Sequence, residues 1–110
     1  MSESSLSRFG RAYRQSLEQN RPTTFRAMEA RGSLARHLQD VDEAAQSQFE
    51  GLMRAFEASE KLPEGHLARA AALDGMRSRA EEIVMSDLLV KDEETEQAMT
   101  SGYSDSPSMT

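Results

Sequence analysis

Seven apolar residues, Leu34, Leu38, Val41, Ala45, Phe49, Leu52 and Phe56, fix most of what this chain can fold into. They cover 22 positions in six steps, about 3.7 residues per turn, which is the period of a straight α-helix. A strict heptad would put Gln48 and Ala55 on the seam instead, a poor coiled-coil edge. Ser33 stands at the N-cap position, and the spacing predicts a helix over 33–61. Glu50/Arg54 and Glu57/Lys61 are i,i+4 pairs in the favourable order, each contributing about 0.2–0.5 kcal/mol.

Leu62-Pro63-Glu64-Gly65 reads as a turn, and a second long stripe follows it. Leu67, Ala70, Leu73, Met76, Ala80, Ile83, Val84 and Leu88 share one side of a helix over about 64–89. Gly75 interrupts that helix at about 1 kcal/mol relative to Ala. Two long helices joined by a short connection form an antiparallel hairpin. Upstream, Leu6, Phe9, Tyr13 and Leu17 predict a helix over 6–19, capped by Ser5 or Ser7 and ended by Asn20-Arg21-Pro22. Pro22 can open a short helix over 22–31 that buries Phe25 and Met28 and stops at Gly32. These two pieces cover the open apolar side of the hairpin. The expected fold is all-α, one domain over 1–90, with residues 91–110 as a disordered acidic tail.

Composition removes several classes of function. A chain of 110 residues without Cys excludes disulfides, thiolate catalysis and Cys-based metal clusters. Five per cent aromatics and no Trp argue against a large aromatic-lined cavity. No apolar run reaches the roughly 20 residues of a membrane span, and a cytoplasmic protein is expected. Neither a Gly-rich phosphate loop nor a nucleophile elbow is present, and Glu81 and Glu82 point to different helix faces. No enzymatic activity, cofactor or metal is therefore expected. His37, beside Val41 and near Asp40, is suited to a tuned imidazole and more simply to a hydrogen-bonded position at the core edge.

Charge is unevenly distributed. Residues 1–37 hold seven Arg against three Glu, a net charge of +4, while residues 38–90 hold five basic and eleven acidic side chains, a net of −6. Arg8, Arg11, Arg14, Arg21 and Arg26 form a cluster able to contact phosphates or an acidic partner. Asp42, Glu43, Glu50, Glu57 and Glu60 form an acidic face suited to a basic protein partner.

The order of short blocks adds a family. Phe9-Gly10-Arg11, Leu17-Glu18, Arg21-Pro22, Gly32-Ser33-Leu34, His37-Leu38 and Val41-Asp42-Glu43-Ala44-Ala45 are followed by Met76-Arg77, Arg79-Ala80-Glu81-Glu82-Ile83-Val84 and Asp87-Leu88. In this order and spacing, over about residues 8–89, the chain resembles the small transposon-encoded TnpV-type proteins. It departs from them in having Leu89-Val90 where a Tyr-like ending is usual, and in the added tail. The resemblance implies an origin on a transposon, integrative element or phage-like element, and supplies no catalytic residues. With the charge pattern, it leads to the expectation of a non-catalytic interaction protein, acting on a nucleic-acid-handling protein through the acidic face. Inhibition of a host defence nuclease, of the anti-CRISPR or anti-restriction kind, is its concrete form. The alternative is a DNA-binding accessory factor for excision or transcription that uses the Arg cluster. A third reading is a purely structural or dimerising module, a homodimer with no external ligand.

Overall fold

A computed structural model describes residues 5–104, with the side chains at 92, 94 and 98–104 excepted. Four helices and no strand lie among the described residues: α1 (Arg8–Asn20), α2 (Pro22–Arg31), α3 (Leu34–Ser59) and α4 (His66–Ser104). Ser7 caps α1, its Oγ accepting from the Phe9 N–H at 3.2 Å. The α1 ladder ends where Arg21 N–H donates to the Leu17 carbonyl at 2.8 Å, just before Pro22 opens α2. Gly32 closes α2 at φ 78°, and the Gly32→Glu29 and Ser33→Met28 backbone bonds satisfy its last carbonyls, as in a Schellman motif. Ser33 occupies the N-cap of α3 but does not cap it by side chain; its Oγ donates back to the Met28 carbonyl at 3.4 Å.

Helices α3 and α4 run antiparallel. Arg79, early in α4, reaches Glu60 just past the end of α3, whereas Thr95, late in α4, lies near His37 at the start of α3. Helix α1 packs against both, and α2 packs chiefly on α1 and α3. The core is built from Phe9, Tyr13 and Leu17 of α1, Phe25 and Met28 of α2, Leu34, Leu38, Val41 and Ala45 of α3, and Val84 and Leu88 of α4, closed at one end by Leu6. Phe49 and Leu52 are partly buried against it. The seven-residue stripe of α3 thus faces inward, most deeply over its first half.

Helix α4 differs from expectation at its C-terminal end. It begins at His66, with Gly65 at φ 100° accepting from Arg69 N–H at 3.0 Å. It does not stop at residue 89 but continues to Ser104, so residues 91–104 are helical rather than part of a tail. The remainder of the expected tail, 105–110, lies outside the described residues. At about 1.5 Å per residue a helix of 39 residues is about 58 Å long, matching the 57 Å longest dimension of the molecule. Three members of the expected α4 stripe leave it: Leu67 is 82% exposed, Ile83 is 40% exposed, and Ala70 is exposed as well. Ile83 falls at the edge of the stripe that Val84 centres.

Candidate functional site

Asp42 stands apart from the other acids. It lies between Val41 and Ala45 on the inward side of α3 and is only 3% exposed. Its carboxylate sits at the N-terminus of α1. It accepts from Ser7 N–H at 2.9 Å, from the Ser7 hydroxyl, from Gly10 N–H at 2.9 Å and from Gln46 Nε2 at 3.0 Å. Two backbone donors that a helix start leaves without partners are thereby satisfied by a side chain from another helix. Burial alone would raise the Asp42 pKa; the Ser7, Gly10 and Gln46 hydrogen bonds outweigh it and hold the carboxyl below its ordinary value. The expected placement of Asp42 on an exposed acidic face is therefore corrected: it joins α1 to α3.

The other members of that face divide. Glu60 pairs with Arg79 at 2.9 Å, and the Arg79 guanidinium also lies 4.6 Å from the centroid of the Phe56 ring. Glu43, Glu50 and Glu57 are exposed and, among the described residues, make no ion pair. The expected Glu50/Arg54 and Glu57/Lys61 pairs do not close to ion-pair distance, because on a solvated face the gain does not exceed the cost of holding two long side chains. Seven-residue spacing keeps the three carboxylates in one row along α3, drifting only about 20° per step and spaced about 10 Å apart.

The arginines are largely engaged inside the molecule. Arg8 bonds Glu81 at 2.7 Å and lies 4.4 Å from the Phe9 ring centroid and 5.1 Å from that of Phe49. Arg11 Nη1 donates to the Leu6 carbonyl at 2.7 Å. Arg14 pairs with Glu18 at 3.1 Å and lies 5.2 Å from the centroid of the Phe25 ring. Arg21 reaches Glu96 at 2.8 Å. Of the five arginines in the expected cluster, Arg11 and Arg26 are exposed and make no ion pair among the described residues. The cluster exists in sequence, but its guanidiniums mostly brace α1.

A buried polar network joins the middle of α1 to α3 and α4. Tyr13, fully buried, has its hydroxyl 2.7 Å from His37 Nε2 and 2.7 Å from Thr95 Oγ1. Thr95 Oγ1 in turn donates to the Lys91 carbonyl at 3.0 Å. Each hydroxyl has one proton, so Tyr13 donates to Thr95 and accepts from His37 Nε2–H. Burial, and secondarily the Lys91 ammonium, push the His37 pKa down, against the opposing pull of Asp40.

Between α3 and α4 lies an open groove of about 340 Å³, lined by Val41, Ala45, Gln48, Asp87, Leu88 and Lys91 among others. Asp87 accepts from Gln48 Nε2 at 2.6 Å, and the lining contains no hydroxyl and no imidazole. Among the described residues, no three His, Cys, Asp or Glu side chains are grouped to hold a metal, and no helix is long and apolar enough to cross a membrane.

Comparison with known families matches residues 1–89 to the family described as transposon-encoded protein TnpV. The chain belongs to the TnpV family. No curated protein and no solved structure matches it. The geometry gives two of the TnpV-like blocks a physical reason: Phe9-Gly10-Arg11 and Val41-Asp42-Glu43 meet where Gly10 and Asp42 touch. Thr95 and Glu96, which hold α4 to α1, lie beyond the TnpV match.

Proposed function

We propose that this TnpV-family chain is a non-catalytic interaction protein of a mobile genetic element, docking the Glu43/Glu50/Glu57 row of α3 on a basic surface of a nucleic-acid-handling protein. The observation that carries this reading is an asymmetry of engagement. Arg8, Arg14 and Arg21 are already paired with carboxylates of the same chain, while the three α3 carboxylates face solvent and make no ion pair among the described residues. Exposed unpaired charges steer association and cost little to desolvate at a rim. The engaged guanidiniums would have to give up partners before meeting phosphate. Occupation of a basic nucleic-acid channel, inhibiting a host defence nuclease, is the concrete form of this action.

The test is affinity capture from an extract of cells carrying the element, with wild type compared to Glu43→Lys/Glu50→Lys/Glu57→Lys. The expected result is a nucleic-acid-binding protein held by wild type, released at high salt and absent from the variant. Equal capture by both proteins overturns the proposal.

A further inference from the structure

The turns of α4 that follow the family-matched segment are tied to the body by specific polar contacts. Thr95 is buried against Tyr13 of α1, and Glu96 pairs with Arg21 at the junction of α1 and α2, so both would lose these partners if the segment lifted away. His37 adjoins the same point from α3, with Nε2 3.4 Å from Thr95 Oγ1. We propose that residues 91–97 form a proton-sensitive latch, seated on α1 and α3 through Tyr13, His37, Thr95 and the Arg21–Glu96 pair, and released when His37 is protonated.

The groups facing His37 determine the direction. From α1 comes the Tyr13 hydroxyl, from α4 the Thr95 hydroxyl and the Lys91 ammonium, and from α3 itself the Asp40 carboxylate. In the seated state the imidazole is partly buried, and burial and Lys91 together oppose its charging more than Asp40 favours it. Lifting the segment removes Lys91 and readmits water, which returns the ring toward its ordinary value of 6.5. The open state therefore binds the proton more tightly. Seating is at full strength above that ordinary value and weakens as pH falls below it. Neither Tyr13–Thr95 nor Thr95–Lys91 needs a proton change for this to happen; the drive is the cost of a charged ring beside an ammonium in a half-dry site. Opening also breaks the Arg21–Glu96 pair and uncovers the edge between α1 and α3. This inference is independent of the acidic-row proposal, since none of its residues belongs to that row.

The test is backbone amide exchange of the full chain, read by NMR as protection factors so that intrinsic pH effects cancel. Measurements at about pH 7.5 and about pH 5.5 bracket the imidazole and stay above the carboxylate range. Wild type should lose protection several-fold at residues 93–97 at the lower pH, while Leu38–Ala45 stays protected at both. Thr95→Val should lower protection of the same segment at about pH 7.5, and His37→Gln should remove the pH dependence. Unchanged protection in wild type, an equal fall in His37→Gln, or full protection in Thr95→Val overturns the latch. If His37→Gln leaves the segment unprotected at both values, the His37 ring titration decides. Its midpoint must be higher in Thr95→Val than in wild type, and an unmoved midpoint overturns the proposal.

Discussion

Gly10 and Asp42 occupy one contact from two helices: the Gly10 N–H donates to Asp42 Oδ1 at 2.9 Å, and a Cβ on Gly10 would sit 2.8 Å from Asp42 Cβ. The hydrogen bond and the close approach require each other. Any side chain at position 10 pushes α3 away from the start of α1, and any loss of the carboxylate leaves that start without its partner.

Gly10→Ala should therefore destabilise the chain. The overpacking penalty of about 1–3 kcal/mol exceeds the roughly 1 kcal/mol that Ala gains in helix propensity. Gly75→Ala is the control, because a Cβ there meets nothing within 4 Å in the same kind of helix. It should raise stability by up to about 1 kcal/mol, or about 4–8 °C in Tm. Thermal unfolding followed by circular dichroism should shift in opposite directions for the two variants.

Asp42→Ala should leave the buried Gly10 N–H without its partner, at about 1–3 kcal/mol, and deprive the part-buried Ser7 N–H of its acceptor at a smaller cost. Acid unfolding gives a second reading. Because the Asp42 carboxyl is held below its ordinary 3.8, its contribution is complete above that value and is lost as pH falls through the lower native one. Wild-type stability should fall across this acid window. Asp42→Asn should lack that part of the fall when urea midpoints are plotted against pH.

Tyr13→Phe keeps the ring in the core and deletes the hydroxyl shared by His37 and Thr95. The expected loss is about 1–2 kcal/mol, read as a lower urea midpoint with an unchanged slope.

Glu43→Lys/Glu50→Lys/Glu57→Lys should leave the fold intact, each exposed change staying within about 0.5 kcal/mol. Thermal unfolding checks this, so loss of partner capture by the variant would reflect the surface and not the fold.

The helical hairpin, the α1 and α2 segments and the Gly32 stop were legible because each rests on local pattern: a 3.6-residue period, a proline at a helix start, a glycine at a left-handed position. Asp42 was not, because an acid in a charged helix reads as solvated face. The available signal was its register: Leu38, Val41, Asp42 and Ala45 fall at i, i+3, i+4 and i+7, which places a carboxylate inside the apolar stripe. A buried acid demands donors, and the Ser7 and Gly10 N–H groups at a helix start are such donors. The extension of α4 was hidden for a related reason. Thr95 continues the Val84–Leu88–Lys91 register, but its hydroxyl and the acids around it mask the stripe. Which arginines remain open to a ligand depends on pairings such as Arg21–Glu96, separated by 75 residues, and no local pattern encodes those.

Whether the chain acts on protein or on DNA is tested most directly by fluorescence anisotropy of duplex DNA titrated with the full chain across a salt series from low to physiological ionic strength. The paired arginines and the open acidic row predict no binding even at the lowest salt. Binding whose log affinity falls steeply with log salt would mean several phosphate contacts, and would contradict the account in favour of a DNA-binding accessory factor.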